Sequence, residues 1–183
     1  MLPAESVTSS RAAGSRAECH DLRASPQPTE EGPRRVVLDT NTVLDWLVFR
    51  DTLACGLGAA IISGHLRWLA SPHMLAELRA VLSRPLAPRW DDAREHALTI
   101  EVSQWIAMCA EPTIVSHPLV CRDPDDQVFI DLAREHSPAV LLTRDRALLA
   151  LRRRAAAFGV VIATAAAWQQ QPVGDTTPTT SVT

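Results

Sequence analysis

Between residues 34 and 171, short apolar runs alternate with segments of helical periodicity, and this alternation constrains the fold more than any other feature. The apolar runs are short and rich in β-branched residues, as expected for buried strands. The longer segments between them carry helix-start and helix-stop signals. Alternation of this kind predicts an α/β fold of three layers, with helices on both faces of a central parallel sheet of about four or five strands.

The predicted elements follow one another in a regular order. Strands are expected at 36–38, 66–70, 113–116, 139–143 and 160–162. Helices are expected from about residue 42 and at 53–63, 72–83, 91–109, 125–136 and 145–158, with a last short helix capped by Thr164. The strongest helix start is Ser71 followed by Pro72, because serine caps a helix N-terminus and proline fits its first turn.

Both ends of the chain differ in composition from this domain. Residues 1–33 are rich in Ser, Ala, Pro, Arg and Glu and hold few apolar side chains, which predicts a disordered extension. Residues 172–183 are expected to form a similar tail, so that the domain covers 34–171. The sequence has no signal-peptide core, no strictly apolar stretch of ~18 residues and no C-x-x-C pair. We therefore expect a cytoplasmic protein without a membrane partner.

The basic residues are all arginines, 18 in number, and both lysine and tyrosine are absent. The absence of lysine excludes a P-loop nucleotide hydrolase and Schiff-base chemistry, because both need its amine. A net charge of −3 gives no overall basic field for nucleic acid. Contacts to phosphate would therefore come from arginines, which bind it through paired hydrogen bonds. The five tryptophans are scattered, which favours core or interface packing over stacking on bases.

Acidic residues stand where the predicted strands end. Asp39 directly follows the first strand, Asp145 comes two residues after the fourth, and Glu77 lies on the helix after the second. Three further aspartates stand at the entrance of the helix before the fourth strand: Asp123, Asp125 and Asp126. Because parallel α/β sheets bind ligands at the carboxyl ends of their strands, several of these carboxylates are expected to converge there.

Crowded carboxylates repel one another unless a cation neutralises them, and Mg²⁺ or Mn²⁺ with oxygen ligands fits such a site. Each acid also has an ordinary structural explanation. Asp39 and the three later aspartates could cap helices, and Glu77 could face solvent. The shared site is favoured because several acids fall at strand ends together.

Four segments of the chain, in this order, resemble the sequence blocks of PIN-domain nucleases. The first is VVLDTNTVL with its D-T-N signature, and the second is SPHMLAELRAVLSRPL, an acidic helix followed by L-S-R-P. The third is CRDPDDQVFIDLA, and the fourth is AVLLTRDRALLAL. The match in order and spacing covers residues 35–165, nearly the whole predicted domain. The resemblance implies a PIN-like fold, and the subgroup resembled most is that of bacterial toxins of toxin–antitoxin pairs.

The resemblance also implies the residues of an active site. The acidic set that would bind metal and carry the catalysis consists of Asp39, Glu77, Asp126 and Asp145. The side chains that would support this set are Asn41, Thr143 and Asp125. The candidates for contacts to RNA phosphates are Arg144 and Arg146. Two positions depart from the family pattern, since Gln127 stands where Asn is usual and Arg144 where Gly is common.

The function that the resemblance implies is that of a metal-dependent endoribonuclease. Mg²⁺ or Mn²⁺ would be the cofactor, RNA would be the substrate, and cleavage would leave a 5′-phosphate. Membership of the toxin subgroup would add a cognate antitoxin protein as partner, in a type II toxin–antitoxin pair. Because such toxins are commonly dimeric, a homodimer is the candidate assembly.

Two other functions remain open at the level of sequence. A PIN-like fold could serve as a non-catalytic RNA-binding module, although the full acidic set argues against that use. A haloacid-dehalogenase-like phosphatase also opens with an apolar strand and an aspartate. Such an enzyme needs a second acid two residues later, where Asn41 stands, and a lysine for the phosphate, which this chain lacks.

Overall fold

The computed structural model describes residues 33–113, 119–137 and 139–169, which belong to the compact unit Glu31–Thr183. The strands are β1 (Arg34–Leu38), β2 (Leu66–Ala70), β3 (Ile106–Met108), β4 (Ala139–Leu142) and β5 (Val160–Ala163). The helices are α1 (Thr40–Leu47), α2 (Thr52–Ile62), α3 (Pro72–Leu82), α4 (Asp91–Thr99), α5 (Gln127–Glu135), α6 (Arg146–Ala150), α7 (Arg152–Ala156) and α8 (Ala165–Gln169). Short 3₁₀ segments lie at Pro88–Trp90 and Val102–Trp105.

The five strands form one parallel sheet in the order β3-β2-β1-β4-β5. In β1, the consecutive residues Val36, Val37 and Leu38 are all buried. Successive strand residues point to opposite faces of a sheet, so helices must cover both faces. The three-layer α/β/α fold with a parallel sheet of five strands is therefore confirmed. Among the described residues, no helix has the length and apolar character needed to cross a membrane.

Several helices begin where the sequence predicts. The Oγ of Ser71 accepts a hydrogen bond from the backbone N of Met74 (3.4 Å) at the start of α3, with Pro72 in the first turn. Helix α1 begins at Thr40, two residues earlier than predicted, because Asp39 caps it. Gly64 follows α2 with φ +78, in the left-handed region that glycine adopts without a steric penalty. Local capping chemistry thus sets these boundaries.

The single long helix predicted for 91–109 is wrong. Helix α4 ends at Thr99, and Ile100 is extended with φ −77 and ψ 122. After the 3₁₀ segment Val102–Trp105, the strand β3 pairs with β2. The β-branched side chains near the break favour extended backbone, and pairing with β2 satisfies the backbone groups of β3. The strand predicted at 113–116 lies outside the described residues except for Thr113, which is not in a strand.

The helix predicted for 145–158 is divided into α6 and α7. At the division, the backbone N of Leu151 donates to the carbonyl O of Leu148 at 3.0 Å, a tight turn of 3₁₀ type. Leu148, Leu151 and Ala155 are all buried, so the division lets both short helices place apolar side chains in the core. The predicted extension and tail lie outside the described residues, apart from Pro33.

Three tryptophans pack together inside the domain, in agreement with the packing role that their scattered positions predict. The ring centroids of Trp46 and Trp68 are 6.1 Å apart, and those of Trp46 and Trp105 are 5.4 Å apart. Helix α2 passes close to this group through Gly58, where a Cβ atom would lie 2.0 Å from the Trp46 ring. Glycine is therefore needed at this position for α2 to approach α1.

Candidate active site

The candidate site lies at the carboxyl ends of β1 and β4, neighbouring strands in the middle of the sheet. From β1 the chain proceeds through β2 to β3 on one side, and it then returns to β4 and β5 on the other. The order of strands therefore reverses between β1 and β4, which is where parallel α/β sheets bind ligands. Asp39 follows β1 directly, and Thr143 and Asp145 follow β4.

Asp39 is buried, with 2% of its surface exposed. Its Oδ1 accepts a hydrogen bond from the backbone N of Thr42 at 2.6 Å, and its Oδ2 accepts one from the hydroxyl of Thr143. Burial raises the pKa of Asp39, while the hydrogen bonds from Thr143 and Thr42 and the charge of Arg144 act in the opposite direction. The carboxylate is thus held in one orientation by one donor from the first turn of α1 and one from the residue that follows β4.

Thr143 links the two acids that follow β1 and β4. Its Oγ1 donates to Asp39 and accepts a hydrogen bond from the backbone N of Asp145 at 2.9 Å. The Oδ1 of Asp145 caps α6 by accepting from the backbone N of Ala147 (2.6 Å) and of Leu148 (3.2 Å). Both Asp39 and Asp145 therefore cap helices, and the same hydrogen bonds fix them at the sheet edge.

Glu77 reaches the same edge from α3. It is half-buried, and its Oε1 accepts a hydrogen bond from the hydroxyl of Thr40 at 2.9 Å. Thr40 directly follows Asp39, so this bond connects α3 to the end of β1. This hydrogen bond argues against the ordinary structural explanation of Glu77, in which its side chain only faces solvent.

Among the acids of the predicted set, Asp126 has a pKa that is raised by both burial and neighbouring negative charges. Partial burial and then the charges of neighbouring carboxylates raise its pKa to about 6, and these carboxylates are Asp145, Asp123, Asp39 and Glu77. Its side chain makes no capping hydrogen bond at the start of α5. The charges of the other three acids of the predicted set therefore act on Asp126, together with the charge of Asp123.

The remaining predicted residues are more exposed. Asp125 is exposed and is not among the charges that act on Asp126; its backbone N donates to the Oδ1 of Asp123 at 3.1 Å. Asn41 is exposed on the first turn of α1, and Arg146 is exposed at the start of α6. Their roles stay predictions.

Arg144 has a partner that sequence reasoning missed. Its Nη1 lies 3.1 Å from the Oδ1 of Asp45, and the two side chains are 56% and 18% exposed. Burial raises the pKa of Asp45, against the charge of Arg144. The signal that could have identified Asp45 is its position four residues after Asn41, on the same face of α1.

Gln127, one of the two departures from the family pattern, holds the segment that leads into the site. Its Nε2 donates to the carbonyl O of Leu119 (2.9 Å) and to the Oδ1 of Asp131 (2.8 Å). Its Oε1 accepts from the backbone N of Cys121 at 2.7 Å. Glutamine at this position therefore fixes the chain immediately before the aspartates.

The donor set has the chemistry of a divalent cation site. Burial and then the charges of neighbouring carboxylates raise the pKa of Asp126, and a divalent cation would neutralise those charges. Carboxylate oxygens are the ligands preferred by Mg²⁺ and Mn²⁺. Within the described ranges, no three His, Cys, Asp or Glu side chains are already arranged to hold a metal ion. The charge and type of these residues therefore suit a divalent cation. Their side chains would have to move to coordinate it.

Comparison with known proteins agrees with this architecture. The family model described as "PIN domain" matches residues 35–147, and the chain therefore belongs to the PIN-domain family. PIN domains are generally nucleases, that is, hydrolases, and typically use divalent metal ions. A comparison with curated proteins found no match.

Solved structures that are similar to this chain have low sequence identity to it and TM-scores below 0.5. VapBC2 from Rickettsia felis, bound to a DNA fragment from its promoter, has 13% identity and a TM-score of 0.46, over 71% of this chain and 98% of that chain. FitAB bound to an IR36 DNA fragment has 15% identity and a TM-score of 0.48, over 76% and 99%. FitAcB from Neisseria gonorrhoeae has 16% identity and a TM-score of 0.48, over 71% and 97%.

Proposed function

We propose that this protein is an endoribonuclease that depends on Mg²⁺ or Mn²⁺ and acts as the toxin of a type II toxin–antitoxin pair. The observation that carries the proposal is the group of carboxylates around Asp126, at the strand edge of a PIN domain; burial and then the charges of these neighbours raise the pKa of Asp126 to about 6. In the metal-free protein, repulsion between these carboxylates lowers the stability of the fold, and a bound divalent cation would remove that repulsion.

The residues that would hold the cation are Asp39, Asp126 and Asp145, with Glu77 beside them. A bound ion would lower the pKa of a water molecule and stabilise negative charge on phosphate oxygens. Thr143 keeps Asp39 in place through its hydroxyl. Glu77, whose Oε1 accepts a hydrogen bond from Thr40, would orient the attacking water or accept its proton. The bond from phosphorus to the 3′ oxygen would break, the leaving oxygen would take up a proton from solvent, and the phosphate would remain on the 5′ end.

The RNA backbone would be bound by arginines. Arg144 and Arg146 flank Asp145 and are both exposed, so their guanidinium groups are accessible to phosphate oxygens. Asn41 and Asp125 complete the proposed site as polar supporters at its exposed margin. A cognate antitoxin, a homodimer and a cytoplasmic location belong to the same proposal.

The two alternatives predict different behaviour. A non-catalytic RNA-binding module would bind RNA and leave it intact in Mn²⁺. A haloacid-dehalogenase-like phosphatase would release inorganic phosphate from small esters. Asn41 in place of the second acid and the absence of lysine count against the phosphatase.

The proposed activity is tested by incubating labelled single-stranded RNA with the wild type, Asp39→Asn and Asp92→Asn, in Mn²⁺ and in EDTA. Asp92 is exposed on α4, so its variant is a matched control for the loss of one carboxylate. We expect metal-dependent cleavage by the wild type and Asp92→Asn, with about a hundredfold loss or more in Asp39→Asn. Cleavage that persists in Asp39→Asn or in EDTA would overturn the assignment.

The toxin role is tested separately in cells. Expression of the wild type should arrest growth, expression of Asp39→Asn should not, and co-expression of the cognate antitoxin should restore growth. Unchanged growth during expression of active wild type would contradict the toxin role and leave the nuclease assignment standing.

A further inference from the structure

An open cleft begins beside the carboxylate cluster and continues along α1. We name it the Trp90 cleft, and the lining residues that matter here are Asp45, Phe49, Arg89, Trp90 and Arg144. Arg144 directly precedes Asp145 in the chain, and Asp45 lies on α1, the helix that Asp39 caps. The inner end of the cleft is therefore adjacent to the proposed cation site.

The inner end carries an oriented cation. The guanidinium of Arg144 is paired with the Oδ1 of Asp45 at 3.1 Å, while more than half of its side chain is exposed. A guanidinium has five N–H donors in a fixed fork, so one carboxylate contact leaves others for a second anion. Asp45 thus positions Arg144 and still allows it to contact phosphate.

The outer end of the cleft presents the flat surfaces of an aromatic ring and a guanidinium group. Trp90 is half-buried, and its ring centroid lies 5.2 Å from that of Phe49 at an interplanar angle of 70°. The Cζ of Arg89 lies 5.7 Å from the Trp90 ring centroid. Aromatic rings and guanidinium planes both stack on unpaired bases. Phe49 packs against the indole, and the Arg89 guanidinium, which lies over the Trp90 ring, adds a second planar surface on which a base can stack.

The two acids of the cleft each have partners within the protein. Asp45 is paired with Arg144, and Asp51 caps α2 by accepting from the backbone N of Leu53 and Ala54, each at 3.0 Å. Their charges are therefore partly offset by their own partners. A phosphate that enters the cleft meets arginines at both ends.

We propose that the Trp90 cleft binds a nucleotide next to the scissile dinucleotide of a single-stranded RNA. Its base stacks on Trp90 and Arg89, and Arg144, positioned by Asp45, contacts a backbone phosphate. A base must be unpaired to stack there, because bases in a duplex are already stacked on one another. This inference rests on the ribonuclease function proposed above and extends it to substrate length.

The test compares affinity and kinetics for Trp90→Ala, Trp90→Phe, Arg89→Ala and the control Arg84→Ala. Arg84 is exposed and lies outside the cleft lining. Binding of labelled single-stranded RNA is measured by fluorescence anisotropy in EDTA, and cleavage is measured in Mn²⁺. Trp90→Ala should weaken binding and raise KM about tenfold with little change in kcat, the effect of losing one base–aromatic stack.

Further variants and a shorter substrate distinguish base stacking by Trp90 from a purely structural role of its side chain. Trp90→Phe should restore most of the affinity, Arg89→Ala should weaken binding a few-fold, and Arg84→Ala should match the wild type. The difference between Trp90→Ala and the wild type should disappear with a dinucleotide substrate, which cannot reach the cleft.

Three results would overturn the inference. The first is an unchanged KM for long RNA in Trp90→Ala and Arg89→Ala. The second is an equal loss with the dinucleotide, and the third is a failure of Trp90→Phe to restore affinity. If the wild type neither binds nor cleaves RNA, the proposed ribonuclease function fails as well, so the two failures are distinguishable.

Discussion

Asp126→Asn should stabilise the metal-free protein at neutral pH. Partial burial and neighbouring carboxylates raise the pKa of Asp126 to about 6, from an ordinary value of 3.8. A difference of about 2 units corresponds to at most about 3 kcal/mol of unfavourable free energy when the carboxylate is ionised. Because the side chain is only half-buried, solvent screening reduces this to about 1 kcal/mol.

This stabilisation depends on pH in a defined direction. The folded protein binds the Asp126 proton more tightly than the unfolded chain does. The resulting contribution to the free energy of unfolding is fully present below the unfolded pKa of about 4 and is lost as the pH rises through about 6. Asparagine is uncharged throughout, so the variant should be more stable than the wild type above about pH 6 and similar to it near about pH 4.

Urea unfolding in EDTA, at about pH 7.5 and about pH 4.5, measures the difference. Asp125→Asn is the matched control, because Asp125 is adjacent, exposed and not among the charges that act on Asp126. Its effect should stay within about 0.5 kcal/mol. If folded Asp126→Asn is no more stable than the wild type at the higher pH, the unfavourable burial and crowding of this carboxylate are refuted.

Three further substitutions test other contacts. Gly58→Ala should cost about 1–3 kcal/mol in urea unfolding, because its Cβ would overlap the Trp46 ring, whereas Gly56→Ala meets only a flexible side-chain end and should be near neutral. Thr143→Val should slow cleavage about tenfold or more by removing a donor to the buried aspartate after β1, and serine should rescue it. Gln127→Ala should lower the free energy of unfolding by about 1–3 kcal/mol; an unchanged value would contradict its role in holding the preceding segment.

The elements that sequence reasoning predicted correctly are those with local signals. Ser71 and Pro72 mark the start of α3 through chemistry contained in adjacent residues. Strand β3 gives no such signal, because Trp105 and Met108 continue the helical spacing of the preceding segment. Ile106–Met108 becomes a strand by pairing with β2, which is distant in sequence. Periodicity within one window cannot report that pairing.

The acidic set could be predicted from the sequence, whereas the side-chain contacts around it could not. Asp39 and Asp145 follow strands whose carboxyl ends share one edge, so the topology alone brings them together. The Arg144–Asp45 pair and the Thr40–Glu77 hydrogen bond depend on how far side chains reach between elements. That reach is set by packing and is not encoded in the spacing of the residues.

The most direct test of the central claim is a Mn²⁺ titration that follows RNA cleavage and calorimetric metal binding in the same preparation at neutral pH. For the wild type, the cleavage rate should saturate at the same Mn²⁺ concentration as the binding isotherm. Asp39→Asn should lose both signals, and Asp92→Asn should keep both. Cleavage without metal binding, or metal binding that Asp39→Asn leaves unchanged, would contradict the account.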